Sequence, residues 1–473
     1  MMSALRKIRS IILNQIRPTR AEIEKSFQIF NRIKRATQHI SDMKNLEVSF
    51  INLEGSSGRK QTQLRNWREL DVFIGLPTSI LPKPIDKEKP SKPKLRKLFK
   101  QLVEKIAVEA IKEAGCSSWQ VKYAEHPYVS AILDNYKVDI IFGFDLSPEY
   151  IFETGPITAV DRTPHHSQFV DSQLSKRQRD DVRLLKAFFH SVYVYGDTSP
   201  VGRSGFTGFS TEMIVYHNQS LESAFEFLSQ FPPKPLDYFS RPSDELQQKF
   251  QRDELIITDP TDPNRNIASS ISERAYRFAQ HNARQLMREP SVTFFKMTPI
   301  PVLTLDELKI KSDNYFVIEF QDETGWHYTK TRDKLYRYFT KLQKFLNREA
   351  TGEPRFGSVV FEEVFEAPMF VMALSVEKYE ISKSYTRIGP PSDFPDEVEK
   401  FTKKHPNAYL QNGRYQVEIQ RNFNNATHAI QHFLANNTLS PKLIPISVSN
   451  QGTTLIGKQA LWILKKAVQP FIP

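Results

Sequence analysis

Residues 69–76 read Glu-Leu-Asp-Val-Phe-Ile-Gly-Leu, and this stretch decides the fold predicted for the first part of the chain. Acidic and apolar residues alternate at its start, which is typical of a β-strand with one buried face. Because side chains on a strand alternate between its two faces, Glu69 and Asp71 share one face and the intervening apolar residues point into the core. Two acids on one face predict either a ligand site or an ordinary exposed strand surface.

A third carboxylate, Asp139, lies within an apolar stretch at residues 138–141, which we also predict to be a strand. Three acids on neighbouring strands repel one another and raise each other's pKa unless a cation neutralises them. Hard oxygen ligands of this kind suit Mg²⁺. The functional interpretation is a two-metal site for phosphoryl transfer, with Glu69, Asp71 and Asp139 as catalytic and metal-binding residues. The alternative is a strand face that carries ordinary acids.

A glycine-bearing turn at residues 55–58 (Gly-Ser-Ser-Gly) follows a predicted strand at residues 47–54 and precedes the acidic strand. Because glycine has no side chain, backbone N–H groups in such a turn can approach a phosphate closely. The hydroxyl of Ser56 and the guanidinium of Arg59 would add donors. No Gly-x-x-x-x-Gly-Lys-Ser/Thr motif is present, which excludes a P-loop.

The composition is that of a basic protein with several domains. Its 473 residues predict roughly three domains. Lys plus Arg number 65 against 54 for Asp plus Glu, and the formal net charge of +11 favours a polyanionic partner because neutralising phosphates releases counterions. The single cysteine, Cys116, excludes an intramolecular disulfide and a cysteine-based zinc site, and it fits a reducing cytoplasm. No run approaches about 18 consecutive apolar residues, so no membrane span is predicted.

Hydrophobic periodicity and turn-forming residues predict the remaining elements. Two helices are predicted within residues 3–44, broken near Pro18, and another over residues 94–114. Three further strands of the first domain are predicted over 119–126, 128–134 and 136–143.

The stretch at residues 77–94 is rich in proline and lysine and is predicted to be a solvated loop. Residues 150–290 are predicted to be mainly helical, with an interruption at 232–263. From residue 291 onward, strands and helices are predicted to mix.

A glycine-serine turn, an acidic pair on the next strand and a third acid after a helix resemble the nucleotidyltransferases of the DNA polymerase β superfamily. Further segments resemble the archaeal (class I) CCA-adding enzymes, which are tRNA nucleotidyltransferases. The similar segments are Tyr123-Ala124-Glu125-His126-Pro127-Tyr128-Val129, Ala159-Val160-Asp161-Arg162-Thr163-Pro164-His165-His166, Asp181-Val182-Arg183-Leu184-Leu185-Lys186, Tyr195-Gly196, Gly205-Phe206-Thr207-Gly208-Phe209 with Glu212, Asp259-Pro260 through Asp262, Arg265-Asn266-Ile267-Ala268, Pro290-Ser291 with Phe294-Phe295-Lys296, Arg387-Ile388-Gly389-Pro390, and Asn412-Gly413-Arg414-Tyr415.

The resemblance implies an α+β, multidomain fold with a polymerase-β-like nucleotidyltransferase head that holds a mixed sheet. It implies a catalytic head over residues 1–150 and a helical neck or central domain over 151–290 that binds nucleotide and tRNA. Residues 291–473 are expected to form an α+β body and tail that bind the tRNA acceptor stem and elbow.

The same resemblance implies roles for particular residues. Those expected to bind the nucleotide are Ser56, Arg59, His166, Lys186, Tyr195 and Arg265, with Arg265 reading the base. Those expected to line the primer and nucleotide site are His126, Thr163 and Asn266.

Some of these assignments stay open on the sequence. The glycine turn is one residue longer than is usual in the family, so either Arg59 or Lys60 could contact phosphate. Single histidines such as His126 and His166 are more often structural than functional. Lys186 could also be the solvated edge of an amphipathic helix.

The implied activity is Mg²⁺-dependent, two-metal addition of C, C and A to the 3′ end of tRNA from CTP and ATP, without a nucleic-acid template and with release of pyrophosphate. A homodimer is expected by resemblance, and a cytoplasmic location is expected without a membrane partner. The alternatives are a poly(A) polymerase or an oligoadenylate synthetase, which share the catalytic core, and a non-catalytic RNA-binding relative. Candidate tRNA contacts in the tail are Lys378, Lys383, Arg387, Lys400, Lys403, Lys404, Arg414 and Arg421.

Overall fold

The computed structural model describes residues 2–81, 89–123 and 126–471. The chain forms two compact units, Met1–Thr298 and Pro299–Pro473. Each unit combines helices with β-sheets, so the predicted α+β, multidomain fold class is confirmed.

A five-stranded sheet organises the beginning of the first unit. Its strands are β1 (Phe50–Glu54), β2 (Glu69–Leu76), β3 (Trp119–Tyr123), β4 (Pro127–Leu133) and β5 (Tyr136–Phe144). They are ordered β1-β2-β5-β4-β3, with β2 and β5 parallel and the other neighbours antiparallel. All five strands lie where the sequence predicts them; the predicted third strand also included residues 124–125, which lie outside the described residues.

One face of this sheet is buried by helices. Leu70, Val72 and Ile74 of β2 are 1%, 0% and 0% exposed and belong to a hydrophobic core that also contains Ile33 and Phe99. The alternation of β2 therefore places the acids of the strand on the opposite face, as predicted.

The helices of this region follow the predicted breaks. They are α1 (Met2–Ile16), α2 (Arg20–Met43), α3 (Lys92–Leu102) and α4 (Val108–Glu113). Between α1 and α2, Thr19 caps α2 in a reciprocal capping box with Glu22. The helix predicted over 94–114 contains a π-helical turn, Val103–Ala107, between α3 and α4.

The predicted loop at 77–94 is described in part. Thr78–Ile80 forms a 3₁₀ turn, and residues 82–88 lie outside the described residues. Lys89 Nζ donates to the carbonyl oxygens of Thr154 and Gly155 at 2.5 and 2.9 Å.

The rest of the first unit is mainly helical, as predicted. Its helices are α5 (Pro148–Thr154), α6 (Thr163–Gln173), α7 (Lys176–Ser191), α8 (Gly208–Asn218), α9 (Leu221–Leu228), α10 (Ser243–Lys249) and α11 (Glu273–Arg288). A short antiparallel hairpin of β6 (Thr258–Asp259) and β7 (Asp262–Asn266) was not predicted. Arg9 and Arg17 on or beside α1 pair with Asp181 and Asp180 of α7, which joins the N-terminal helix to the middle of the unit.

The second unit contains two sheets. A four-stranded sheet in the order β14-β8-β10-β9 packs its core against helices, and a three-stranded sheet in the order β11-β13-β12 carries a helix beside it. The elements are α12 (Leu305–Lys309), β8 (Tyr315–Asp322), α13 (Tyr328–Asn347), β9 (Val359–Glu366), β10 (Met369–Val376), β11 (Ser384–Pro391), α14 (Pro395–Lys404), β12 (Tyr409–Gln411), β13 (Arg414–Gln420), α15 (Ala426–Asn436), β14 (Leu443–Ser449) and α16 (Leu455–Trp462). Within the described residues, no helix has the length and apolar content needed to cross a bilayer.

Candidate active site

The face of the first sheet opposite its hydrophobic core brings two acids side by side. Asp71 of β2 and Asp139 of β5 are directly opposed in the parallel register of the two strands. The preceding pair on the same face is Glu69 and Lys137. The sequence prediction that Glu69, Asp71 and Asp139 share one face of neighbouring strands is thus met by the strand register.

These acids belong to a polar row that crosses four strands. Glu54 of β1 is paired with Asp71, and Ser130 of β4 is paired with Asp139. Glu54 is completely buried, and burial raises the pKa of its carboxyl. The row therefore places three carboxylates next to one another in a partly buried position.

Burial and mutual repulsion in this row act on the pKa of Asp71. Burial, together with the charges of Asp139 and Glu69, raises the pKa of Asp71 to about 6. Lys137 lies between the acids, with its Nζ 3.3 Å from Glu69 Oε1 and 3.3 Å from Asp139 Oδ2. Burial disfavours the charged form of Lys137, but the charges of Asp139 and Glu69 outweigh it and raise the pKa of the ammonium. This lysine was not predicted from the sequence.

The acidic face fits a divalent cation by its chemistry. Asp139 Oδ1 is buried without a hydrogen-bond partner, and a buried carboxylate oxygen in that state is a ready ligand. In the described part of the chain, no three carboxylate, imidazole or thiol groups converge on one point. Glu69 is 46% exposed at its side chain and lies against Lys137, so it has room to change rotamer toward Asp71.

The glycine turn lies directly against the acidic pair. Gly55 has a φ of +67°, and a methyl group on it would lie 2.2 Å from Asp71 Oδ2. Gly58 packs as closely on the backbone, since a methyl group there would lie 2.0 Å from the carbonyl oxygen of Leu53. The Ser57 hydroxyl donates to the carbonyl oxygen of Glu69 at 2.9 Å, which fastens the turn to the start of β2. Both glycines are therefore required by close approach.

The predicted nucleotide contacts of the turn differ in their surroundings. Lys60 is buried, and its Nζ lies 2.9 Å from Glu212 Oε2 and 4.8 Å from the ring centre of Phe209. Arg59 is exposed. Ser56 accepts a backbone hydrogen bond from Thr62 at 3.0 Å, which closes the turn.

Glu212 is the centre of a buried ionic cluster. Its Oε1 accepts from the Thr62 hydroxyl at 2.6 Å and lies 3.6 Å from Lys186 Nζ. Lys186 also donates to the carbonyl and hydroxyl oxygens of Thr62 at 3.2 and 3.0 Å. Burial lowers the pKa of Lys186 to about 8, with Glu212 opposing the shift. Lys186 is 3% exposed, so the solvated-edge alternative is wrong.

Tyr195 and Lys186 meet at the start of α8. A methyl group on Gly208 would lie 3.3 Å from the Tyr195 hydroxyl and 3.7 Å from Lys186 Nζ. The Tyr195 ring stacks on His190 at 4.1 Å, and burial raises the pKa of the tyrosine hydroxyl, with the charges of Glu212 and Glu69 acting in the same direction. A hydroxyl, an ammonium and a helix N-terminus at one place form a donor set that suits phosphate.

Asp259 joins two of the predicted nucleotide-binding residues. Its Oδ2 accepts from His166 Nε2 at 2.8 Å and from Arg265 Nη1 at 2.7 Å. The His166 ring stacks on Phe209 at 3.9 Å. Burial lowers the pKa of His166, and the Asp259 carboxylate opposes that shift. Lys60 belongs to the same chain of contacts, because its ammonium lies over the Phe209 ring. The glycine turn is thus connected to the β6–β7 hairpin through Phe209, His166 and Asp259.

The three residues predicted to line the primer site have different environments. His126 is buried, stacks on Phe99 at 4.2 Å and shares a hydrogen bond of 2.9 Å with the Phe142 carbonyl oxygen. Thr163 begins α6, one turn before His166.

Asn266 braces the hairpin from inside. Its Oδ1 accepts from the backbone N–H groups of Ile257 and Ala268, both at 2.9 Å, and its Nδ2 donates to Asp253 and to the Leu255 carbonyl oxygen, both at 2.8 Å. This amide uses all its ordinary hydrogen-bond positions within the fold. Its predicted role in lining the substrate site stays a prediction.

In the second unit, one basic residue predicted to contact tRNA instead forms contacts within the protein. Arg421 pairs with Glu349 and lies over the ring of Tyr385 at 4.8 Å. Its side chain is 8% exposed, whereas Lys400 and Lys403 on α14 are exposed. The lysines therefore remain better placed than Arg421 for an RNA backbone.

No role was predicted from the sequence for Lys137, Glu212, Asp259 or Phe209. Phe209, Glu212 and Asp259 lie in segments that are similar to the family. That position was the signal that could have indicated a functional role for them. Lys137 had a different signal, because it lies two residues before Asp139 and period two places both on one face. Assigning their partners required the tertiary structure.

Two known domain families match parts of the chain. The family described as "tRNA nucleotidyltransferase, second domain" matches residues 180–296. The family described as "CCA-adding enzyme, C-terminal domain" matches residues 331–443. The first range contains Lys186, Glu212 and the β6–β7 hairpin.

Curated relatives are similar over most of the chain. The CCA-adding enzyme of Methanosarcina acetivorans is 26% identical over 450 residues, which is 93% of this chain and 91% of that protein. That of Methanocaldococcus jannaschii is 27% identical and covers 94% of each chain. That of Saccharolobus shibatae is 29% identical and covers 79% of this chain and 81% of its own.

Solved structures show a more distant likeness. A cytoplasmic RNA terminal U-transferase matches 63% of this chain and 99% of its own at a TM-score of 0.45 and 15% identity. CdnC of E. coli MS115-1 matches 61% of this chain and 94% of its own at a TM-score of 0.42 and 15% identity. The two domain matches and the curated relatives show that this chain is similar, over most of its length, to the CCA-adding enzymes of archaea.

Proposed function

We propose that this chain adds C, C and A to the 3′ end of tRNA from CTP and ATP without a nucleic-acid template. One structural observation carries the chemistry: Asp71 and Asp139 are opposed on parallel strands, with the Gly55 turn packed against Asp71. The similarity to curated CCA-adding enzymes over most of the chain supports the choice of substrate.

The acidic face would hold divalent cations, and Mg²⁺ is the ion we propose. Glu69, Asp71 and Asp139 offer hard oxygens, and Asp139 has a buried oxygen without a partner. Mg²⁺ at such a site supplies charge that lowers the barrier for the attacking and leaving oxygens of an in-line phosphoryl transfer. Asp139 would orient the 3′-hydroxyl of the RNA, whose oxygen attacks the α-phosphorus while the bond to pyrophosphate breaks.

The phosphates of the incoming nucleotide would bind between the glycine turn and α8. Ser56 and Arg59 of the turn provide donors from one side, and Lys186 and Tyr195 provide an ammonium and a hydroxyl beside Gly208. His166 would extend this set. Within the turn, Arg59 is favoured as the phosphate contact because it is exposed, whereas Lys60 forms the shorter contact to Glu212, at 2.9 Å against 3.6 Å for Lys186.

The base would be read at the β6–β7 hairpin. Arg265 is 38% exposed and its guanidinium is held at one end, so its remaining N–H groups can meet the edge of a base and the RNA backbone. Cytosine and uracil differ in donor and acceptor at position 4, so fixed donors can discriminate between them.

The remaining partner assignments are also part of the proposal. We infer that residues 1–150 form the catalytic head and 151–290 the neck, and that residues 291–473 bind the acceptor stem and elbow through exposed lysines by shape and phosphate contacts. A homodimer and a cytoplasmic location are proposed on the family resemblance; sedimentation of the purified chain tests the first, and cell fractionation tests the second.

The activity is tested by incubating the full chain with Mg²⁺ and tRNA that lacks its CCA end. CTP alone should extend the tRNA by two nucleotides, and CTP with ATP by three, after which addition stops. Long homopolymeric tails would instead indicate a poly(A) polymerase, and short oligoadenylates made without tRNA would indicate an oligoadenylate synthetase. Absence of any incorporation would point to a non-catalytic RNA-binding protein.

A further inference from the structure

We propose that Asp259 is a positioning residue for nucleotide selection, because one of its carboxylate oxygens holds both Arg265 and His166. The inference rests on the proposed function, in which Arg265 reads the base and His166 lies at the phosphates. Asp259 would link the residue that reads the base with the residue at the phosphates.

The geometry of the carboxylate leaves it little freedom. Oδ2 accepts from His166 at 2.8 Å and from Arg265 at 2.7 Å. Oδ1 accepts from the backbone N–H and the hydroxyl of Thr261 at 2.9 and 2.7 Å. Both oxygens therefore receive two donors each, which fixes the rotamer of Asp259.

The backbone beneath Asp259 is equally constrained. Asp259 ends β6 and is paired with Asp262 across the hairpin, and neither the residue nor its side chain is exposed. Asn266 ties the second strand of the hairpin to Ile257 and Leu255. A fixed hairpin with a fixed carboxylate is a suitable base for orienting a flexible arginine.

Arg265 and His166 each use only one nitrogen to contact Asp259. In the described part of the chain, Asp259 is the one hydrogen-bond partner of the Arg265 guanidinium, whose other N–H groups remain for a ligand. His166 gives Nε2 to Asp259, so Nδ1 is the ring nitrogen left for a substrate. A purely structural ion pair would be expected to enclose both partners, whereas the Arg265 side chain is 38% exposed.

Electrostatics supports the same interpretation. Burial alone would raise the pKa of Asp259, but His166, Arg265 and Thr261 hold it far below its ordinary value. These three contacts therefore favour the ionised form of the carboxylate. Its charge also offsets that of Arg265, so the arginine enters the site with a fixed direction and less freedom to bind any anion.

The test compares the wild type with Asp259→Asn and with a matched control, Asp262→Asn. Asp262 lies on the same hairpin and is also a buried carboxylate, but it pairs with Arg162 at 2.5 Å. Two tRNAs are used, one ending before CCA and one ending in CC, and kcat and KM are measured for CTP and ATP on each, together with misincorporation of UTP. For Asp259→Asn we expect KM to rise roughly 10-fold or more and discrimination to fall, with a smaller change in kcat. Asp262→Asn should keep wild-type KM and discrimination.

A double-mutant cycle separates positioning from simple damage to the fold. If Asp259 acts through Arg265, Asp259→Asn should add little to the loss of discrimination already caused by Arg265→Ala. If Asp259→Asn does not fold, Asp259→Glu keeps the charge and shifts the carboxylate by one methylene, and altered nucleotide choice is again expected. Equal nucleotide kinetics in the Asp259 and Asp262 variants, or full additivity with Arg265→Ala, would overturn the inference. A wild-type chain that extends neither tRNA would instead refute the proposed function.

Discussion

Asp71 and Asp139 are directly opposed across the parallel strands β2 and β5, so their side chains leave the sheet on the same face. Burial and this proximity raise the pKa of Asp71 to about 6, so the pair is destabilising for the folded chain without a neutralising cation. Lys137 reduces the repulsion from one side, through contacts to Asp139 and Glu69. Such an arrangement is typical of an active site, where residues needed for function can lower the stability of the folded protein.

Replacing either acid with its amide should therefore have opposite effects on activity and on stability. Asp71→Asn and Asp139→Asn should each lower nucleotide incorporation by roughly 1,000-fold or more, because a metal-binding carboxylate is lost. Measured in the presence of a chelator, the melting temperature of Asp71→Asn should rise, since the repulsion is removed. Binding of tRNA, followed by gel shift, should stay close to that of the wild type. Normal incorporation by either variant would refute the two-metal assignment, and a lower melting temperature would refute the argument from repulsion.

The glycine turn allows a prediction with an internal control. Gly55 and Gly115 both have positive φ angles, +67° and +86°. A methyl group on Gly55 would strike Asp71 Oδ2 at 2.2 Å, whereas one on Gly115 meets nothing within 4 Å. Gly115→Ala should cost about 1 kcal/mol of unfolding free energy and keep activity, because it bears backbone strain alone. Gly55→Ala should also displace Asp71 and nearly abolish incorporation, and equal activity of the two variants would contradict the close packing of turn and acid.

The choice between Arg59 and Lys60 can be decided by separating affinity from stability. Lys60→Met removes one partner of the buried Glu212, so we expect a loss of about 3 kcal/mol in the unfolding free energy. Arg59→Ala removes an exposed side chain and should leave the unfolding free energy within about 0.5 kcal/mol of the wild type. Its KM for CTP and ATP should nevertheless rise about 10-fold if the guanidinium contacts phosphate. An unchanged KM in Arg59→Ala would remove this residue from the phosphate site.

The sequence predicted the acidic face well because its signal is local. Period two on β2 places Glu69 and Asp71 together, and the apolar residues around Asp139 predict a second buried strand. The order of the strands and the parallel register of β2 and β5 could not be read from these periods. They depend on the crossover through α3, α4 and the hairpin of β3 and β4.

The buried partners were beyond sequence reasoning for a different reason. Lys60 and Glu212 are 152 positions apart, and His166 and Asp259 are 93 apart, so no periodicity relates them. The hydrogen bonds of Asn266 within the hairpin could not be predicted from its segment either, and its expected place at the substrate site stays a prediction. The hairpin of β6 and β7 was missed because prolines and aspartates in 232–263 hid its short strands.

Acid should weaken the first unit through a histidine that is buried without charge. Burial lowers the pKa of His217 on α8 to about 4, and Asp237 opposes the shift only in part. The unfolded chain, with an ordinary pKa near 6.5, binds more protons than the folded chain between these two values. Stability from this group is therefore present above about pH 6.5 and is lost as the pH falls toward 4, by about 2 kcal/mol between pH 7 and pH 5. Denaturant unfolding of His217→Gln should show a correspondingly smaller difference between pH 7 and pH 5, while His39→Gln, which changes an exposed histidine, should keep the wild-type difference. Identical pH dependence in both variants would show that His217 is not the group that titrates.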